Sequence, residues 1–306
     1  MKIGLVSYTY HRFFGDIYES VQTDPGVRWT MFDVVRKAAE LGVDGILLDT
    51  AFYPSLDRAF LRQLAHEMDE AKLERAVSWG SPNGLDTGKS PEAVKDLLKH
   101  IEVMELLGTN ILRIVGGSKR TAHEPHGPAL ERIANVITEH CIGPAERAGV
   151  VLAYENHWDY TVDEVLWLIR KVDSPWLKVT FDSGNALRVG DDPVEAARKL
   201  APYIVCTNLK DVGEPTLGAT DWRAGFPCVP LGRGRIDHAA ICRILEEAHS
   251  PALHAIEMDR PREDCLDEEL FVRECVGYLR GVRDLMKLGV FAKSPFDWLR
   301  GRYPKI

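Results

Sequence analysis

The sequence lacks the features that mark several large classes of proteins. Its six cysteines include no CxxC pair and are not densely spaced, which argues against a disulfide-stapled secreted domain and for reduced thiols. No apolar run approaches the ~18 residues of a membrane-spanning helix, and the start MKIGLVSYTY is too short and polar for a signal peptide. The net charge of −8 is unlike that of nucleic-acid or anionic-membrane binders. We therefore expect a soluble, cytoplasmic protein whose partner is a small molecule, with no nucleic acid and no membrane.

Low-complexity segments, Ser/Gly linkers and close internal repeats are also absent from the sequence. Short apolar runs instead alternate with stretches of helical periodicity, which is the pattern of βα units around a parallel sheet. Most of the runs are apolar without alternation, as expected for strands that are buried on both faces. The predicted strands are KIGLVSY (2–8), GILLDT (45–50), RAVSWG (75–80), ILRIVGG (111–117), VVLAYEN (150–156), LKVTFD (177–182), IVCTNLKD (204–211) and LHAIEMD (253–259).

Helix start signals punctuate the segments between these runs. Ser90 and Asp192 each precede a proline, the arrangement of an N-cap followed by a first-turn proline. Thr161 and Glu164 form the pattern of a capping box. These signals predict helices that follow the strands and form an outer layer.

The segment that follows the first predicted strand helps to decide between two α/β folds. A doubly wound sheet usually has a glycine-rich first turn, and SYTYHRFFGDIY has none. A single-domain α/β protein with a closed (β/α)8 TIM barrel fits better, and 306 residues with 45% apolar content can fill its core. We predict the barrel over residues 1–286. Residues 287–306 are predicted to be a C-terminal extension that packs on the barrel or on a partner subunit, so a homo-oligomer stays open.

Polar side chains end each of the last four predicted strands. They are Glu155-Asn156-His157, Asp182-Ser183-Gly184-Asn185, Asn208-Leu209-Lys210-Asp211 and Glu257-Met258-Asp259. Catalytic groups of TIM barrels come from the C-terminal ends of the strands, so we expect these groups to converge. Crowded carboxylates repel one another unless they are protonated or bridged by a cation, and a divalent metal is the least costly arrangement. The alternative is that each acid caps a helix or pairs with a neighbour.

At these residues the sequence resembles a known group. The motifs YENHWDYT, FDSGNALRVGDDP, NLKD, VPLGRGRID and IEMD are similar to those of the xylose-isomerase-like TIM-barrel superfamily of sugar isomerases and epimerases, which includes tagatose 3-epimerase and inosose isomerases and dehydratases. The resemblance covers most of the chain. It implies one divalent cation held by Glu155, Asp182 and Glu257.

One position departs from the pattern of that superfamily, because Asn208 stands where its members most often have histidine. An asparagine carbonyl is a neutral, hard ligand, so a site with Asn208 favours Mn²⁺ or Mg²⁺, with Co²⁺ or Zn²⁺ as alternatives. Alternatively Asn208 is no ligand, and His157 or water completes the shell.

The resemblance also implies a reaction. A metal-dependent isomerase or epimerase would abstract a proton next to the carbonyl of a keto-sugar or keto-polyol and form a metal-stabilised enediolate, with Glu155 and Glu257 removing and returning the proton. The same site serves a dehydratase or lyase of the keto-inositol, dehydroshikimate or 3-keto-glycoside type. A metal-free sugar-binding homologue is the third alternative.

Five further side chains are predicted to contact the substrate: His157, Asn185, Lys210, Trp222 and Arg235. Each has a structural alternative. The histidine and the arginine can be plain loop residues, the asparagine can orient the neighbouring aspartate, the lysine can pair with the aspartate that follows it, and the tryptophan can lie in a subunit contact. The sequence lacks a glycine-rich phosphate cradle, which favours an unphosphorylated sugar or polyol.

Overall fold

A parallel eight-stranded sheet forms the centre of the protein in a computed structural model that describes residues 1–19, 21–117, 121, 123–215, 225–250 and 252–289. The strands lie side by side in chain order, the last one (Leu253–Ile256) lies beside the first (Lys2–Val6), and every neighbouring pair is parallel. The strands are β1 (Lys2–Val6), β2 (Gly45–Asp49), β3 (Glu74–Ser78), β4 (Ile111–Ile114), β5 (Val151–Glu155), β6 (Leu177–Asp182), β7 (Ile204–Asn208) and β10 (Leu253–Ile256). The predicted (β/α)8 TIM barrel is confirmed.

The barrel closes between β7 and β10 through an isolated bridge rather than a regular strand ladder. Leu209 forms a parallel bridge with Ile256, and its amide and carbonyl bond the backbone of Ala255 and Glu257. Two positions earlier, the Thr207 hydroxyl donates to the Leu253 carbonyl (2.8 Å) and accepts from the Ala255 amide (3.1 Å). A side chain therefore completes the hydrogen bonding that a regular strand pair would make with backbone groups.

Helices surround this sheet, and the predicted capping signals are confirmed. Ser90 Oγ accepts from the Ala93 amide, Asp192 caps its helix, and Thr161 with Glu164 forms a capping box. The α-helices are Met31–Leu41, Arg58–Glu70, Pro91–Val103, His126–Val136, Ile142–Ala148, Val162–Val172, Ser183–Arg188, Pro193–Leu200, His238–Glu247 and Glu268–Lys287. In the described part of the chain, none of the helices has the length and apolar character needed to cross a bilayer.

Seven of the eight predicted strands run past the end that the structure shows, and the excess is three residues for 111–117, 204–211 and 253–259. The run 204–211 leaves the barrel after Asn208, and Asp211–Val212 (β8) pairs antiparallel with Cys228–Val229 (β9) in a separate ribbon. The run 253–259 ends as a strand at Ile256, so Glu257 and Asp259 stand on the segment beyond it. Sequence polarity alone could not place these ends, because the chain stays buried while it leaves the sheet. Residues 290–306 of the predicted extension lie outside the described residues.

Candidate active site

A pocket of about 410 Å³ opens at the C-terminal ends of the strands. Polar residues from most of the barrel line it: Asp49, Ser78, Arg113, Glu155, His157, Asn185, Asn208, Lys210, Glu257 and Asp259. Aromatic walls come from Tyr8, Tyr18, Trp79 and Trp158. The predicted convergence of the last four strand ends is therefore what the fold produces.

Asp182 lies at the end of β6, fully buried below the pocket. Its Oδ1 accepts from the Asn185 amide at 2.8 Å and so caps the short helix that follows. Asn156 at the end of β5 clamps the Asp182 backbone through two hydrogen bonds of 2.8 Å. The second oxygen, Oδ2, lies 3.1 Å from Lys210 Nζ. Asp182 therefore caps a helix with one carboxylate oxygen and pairs with a cation through the other.

Glu155 at the end of β5 is held by two side chains. Arg113 on β4 donates from Nε to Glu155 Oε2, and Asn185 Nδ2 donates to Oε1 at 3.0 Å. Burial raises the pKa of Glu155, but the neighbouring Arg113 guanidinium outweighs burial and holds that pKa below its usual value. Arg113 also donates to Ser78 Oγ at 3.0 Å, which fixes its orientation. Glu155 is therefore an ionised, oriented carboxylate.

Lys210 lies between three carboxylates. Its Nζ is 3.1 Å from Asp182 Oδ2, 3.1 Å from Glu257 Oε2 and 3.3 Å from Asp259 Oδ2. Burial lowers the pKa of Lys210, yet the three acids outweigh it and raise that pKa well above its usual value. The buried lysine is therefore held in its charged, ammonium form.

Glu257 differs from Glu155 in its electrostatic environment. Burial raises the pKa of Glu257 to about 8; Lys210 opposes this rise, while Asp182 and Glu155 add to it. The two glutamates that face one pocket thus differ in how readily they hold a proton.

Asp259 is tied to the other side of Lys210. Arg188 donates to its two oxygens at 2.6 and 3.0 Å, and Cys228 Sγ lies 2.8 Å from Oδ1. Burial raises the pKa of Asp259, but Arg188 and Lys210 outweigh it, so that pKa lies well below its usual value. Asp259 stays ionised and provides Lys210 with a partner that is independent of Asp182 and Glu257.

The remaining residues that were predicted to contact substrate do not all line the pocket. His157 lines the pocket, with Nδ1 3.4 Å from Asp159 Oδ1. Arg235 lies exposed on the loop 229–237, where Nε is 3.9 Å from Glu214 Oε1, and it is not among the pocket residues described. Lys210 pairs with the three acids named above rather than with the adjacent Asp211. Trp222 lies outside the described residues.

Sequence reasoning missed several residues of the site. Arg113 and Arg188 are both buried ion-pair partners of predicted acids, and Ser78 and Tyr8 line the pocket. An arginine inside the apolar run ILRIVGG was a usable signal, since an unpaired charge is costly in a barrel strand. Tyr8 gave no comparable signal; it donates to Asp16 Oδ2 at 2.7 Å on the pocket wall.

Within the described ranges, no group of three or more His, Cys, Asp and Glu side chains is arranged to hold a metal ion. Lys210 Nζ lies between two of the carboxylates that were predicted as ligands. Three buried oxygens of the predicted set, Asp182 Oδ2, Asn208 Oδ1 and Glu257 Oε2, have no donor in hydrogen-bond geometry among the residues that the structure describes.

The chain matches the family model described as a xylose isomerase-like TIM barrel over residues 35–275. It is 24% identical to a 3-oxo-isoapionate decarboxylase of Pectobacterium atrosepticum, covering 78% of this chain and 87% of that enzyme. It is 23% identical to an inosose dehydratase of Clostridium beijerinckii, covering 70% and 81%. It is 28% identical to a 2-epi-5-epi-valiolone 7-phosphate 2-epimerase of an Actinoplanes species, covering 66% and 73%.

Proposed function

Because the chain belongs to the xylose isomerase-like TIM-barrel family, we propose that it is an isomerase or epimerase of a keto-sugar or keto-polyol. The reaction removes a proton from the carbon next to the carbonyl and returns one to the resulting enediolate. The observation that carries this proposal is the pair of carboxylates, Glu155 and Glu257, that face one pocket from β5 and from the segment after β10. The similarity to a 2-epi-5-epi-valiolone 7-phosphate 2-epimerase supports the same reaction class.

The pocket suits a substrate of this size and polarity. Its volume of about 410 Å³ falls in the range of small-molecule sites, which is roughly 300–1,000 Å³. Polar groups lie at its base, and the aromatic side chains of Tyr8, Tyr18 and Trp158 form walls on which a sugar ring can pack. Among the described lining residues, Arg113 and Lys210 are each paired with acids, which disfavours a phosphorylated substrate.

Each carboxylate has a role that its contacts support. Glu155, ionised beside Arg113 and oriented by Asn185, is the base that accepts the proton from carbon. Glu257 lies across the pocket next to Lys210 and is the group that returns a proton. Lys210 and Arg113 stabilise the negative charge that develops on the substrate oxygens, since both are cations facing the same pocket.

The chemistry of the donor set fits a hard divalent cation. Among the described residues, Asn208 Oδ1 is a buried oxygen without a hydrogen-bond donor, and the buried oxygens Asp182 Oδ2 and Glu257 Oε2 form ion pairs with Lys210. Carboxylate and amide oxygens of this kind favour Mn²⁺ or Mg²⁺. Glu155, Asp182, Asn208 and Glu257 are the residues that would hold the ion. When bound, a divalent cation supplies Lewis-acid polarisation of the substrate carbonyl.

A dehydratase or other lyase is the second candidate, favoured by the inosose dehydratase and decarboxylase relatives. Dehydration uses the same first step, after which a hydroxyl on the next carbon leaves with a proton from the acid. Decarboxylation reaches an enediolate by breaking a C–C bond in place of a C–H bond. Product analysis separates the three reactions, because only isomerisation and epimerisation conserve the substrate's mass.

The test is deuterium exchange into keto-sugars and keto-inositols in D₂O, followed by proton NMR, with the protein loaded with Mn²⁺. Exchange reports proton abstraction whatever happens to the enediolate afterwards. Glu155→Gln is expected to slow exchange by about 100-fold or more, whereas Glu257→Gln is expected to slow formation of the epimer more than exchange. Glu247→Gln, on the exposed surface, is the matched control and leaves exchange unchanged. Exchange that persists in Glu155→Gln would refute the assignment, and sugar binding without any exchange would indicate a binding protein.

A further inference from the structure

The ammonium of Lys210 lies among the oxygens that the proposed function assigns to a divalent cation. Nζ is 3.1 Å from both Asp182 Oδ2 and Glu257 Oε2, at ion-pairing distance. We infer that Lys210 is the resident cation of this site, and that a divalent metal enters only by displacing it from Asp182 and Glu257. This inference deepens the proposed function and rests on its cation site.

The placement of Lys210 is built into the fold. Ser183 Oγ contacts both backbone polar groups of Lys210, at 2.9 Å from the amide and 3.0 Å from the carbonyl oxygen, and it lies 3.1 Å from His238 Nε2 behind it. Gly184 provides the space for the side chain, since a Cβ there would lie 2.9 Å from Lys210 Cγ and Cδ. Lys210 is 4% exposed. The lysine therefore packs in a prepared slot rather than reaching in from the surface.

The contacts of Asp182 explain why Lys210 and a divalent ion compete for the same oxygens. Its Oδ1 is engaged by the Asn185 amide, so Oδ2 is the oxygen that remains for a cation, and Oδ2 faces Lys210. The ammonium and a divalent ion sharing Oδ2 and Glu257 Oε2 would be held close together in a buried site, where like charges repel strongly. One cation therefore excludes the other from these two oxygens.

A displaced Lys210 keeps a partner. Asp259 Oδ2 is already 3.3 Å from Nζ, and Asp259 is fixed by Arg188 independently of the metal ligands. Lys210 can therefore give up Asp182 and Glu257 without leaving its charge buried and unpaired. This second anchor makes the exchange of cations feasible within the folded protein.

The test measures Mn²⁺ binding to the full-length, metal-stripped protein by EPR of free Mn²⁺, without substrate. Lys210→Met removes the competing charge, and we expect it to bind Mn²⁺ about ten-fold tighter or more than wild type. Lys210→Arg keeps the charge and is expected to show no gain. Lys199→Met removes an exposed lysine charge and controls for net charge alone.

Lys210→Gln is the second neutral variant, should Lys210→Met fold poorly, because its amide can still donate to the same carboxylates. The rise in unfolding temperature on Mn²⁺ addition should be larger for either neutral variant than for wild type. Equal or weaker Mn²⁺ binding in the folded neutral variants, or no Mn²⁺ binding in any of the proteins, would overturn the inference. The deuterium-exchange experiment tests the reaction separately, so tight binding in Lys210→Met with no exchange in wild type would refute the proposed function alone.

Discussion

The ion pair between Arg113 and Glu155 gives the sharpest prediction about stability. Both side chains are largely buried, with 14% and 2% of their surface exposed, and Arg113 also bonds Ser78. Replacing Arg113 by methionine keeps much of the stem but leaves the Glu155 carboxylate in the barrel without its cation. Burial would then dominate, so the pKa of Glu155 should rise.

The expected cost is about 3–5 kcal/mol, the range for removing one partner of a buried pair. An independent figure agrees: two unit charges at 4 Å and an effective dielectric constant of 20 attract by about 4 kcal/mol. Urea unfolding of the metal-stripped protein at neutral pH, followed by tryptophan fluorescence, measures this cost directly.

A double-mutant cycle with Glu155→Gln separates pairing from packing. Since the neutral amide no longer needs a cation, the double variant should be more stable than the sum of the single costs predicts, by about 2 kcal/mol. Arg113→Lys tests the need for the planar guanidinium and should recover only part of the loss. A cost below about 1 kcal/mol for Arg113→Met, or strictly additive costs in the cycle, would refute this reasoning.

Three further predictions concern other parts of the molecule. Burial lowers the pKa of His254 to about 4, so protons bind the unfolded chain more readily than the folded protein. The free energy of unfolding should therefore fall as pH drops from about 6.5 towards 4, by roughly 3 kcal/mol more than in His254→Leu. Parallel pH profiles of the two proteins would contradict this. The Asp211 carboxylate accepts from the amides of Gly232 and Gly234, so Asp211→Ala should free the loop 229–237 and speed trypsin cleavage there, and unchanged cleavage would count against this role. Elemental mass spectrometry should find about one Mn²⁺ or Mg²⁺ per loaded chain and none after Asp182→Ala; equal metal in both proteins would exclude Asp182 as a ligand.

The fold was accessible from sequence because its signals are local. Each barrel strand is a short apolar run, and the caps at Ser90, Asp192 and Thr161 act within three residues of themselves. The largest boundary errors fell at β4, β7 and β10, where the chain remains buried after the strand ends. Burial gives the same apolar or charge-paired pattern on both sides of such a boundary, so composition cannot locate it.

The candidate site was accessible only in part. Strand-end polarity identified Glu155, Asp182, Asn208 and Glu257, and the parallel sheet brings three of them into one pocket with Asp182 directly below. The sequence did not decide whether each acid caps a helix or pairs with a cation. In the structure Asp182 caps a helix and also pairs with Lys210.

The sequence by itself determined that these strands exist, that they are parallel and that their polar ends share one edge. Only the tertiary structure decided which charges meet: Arg113 with Glu155, Arg188 with Asp259, and Lys210 with three acids. The physical reason is that barrel closure brings together residues far apart in the chain, while the energy of an ion pair depends on distances of a few ångströms and on burial. Neither quantity can be read from residue types or from their spacing along the chain.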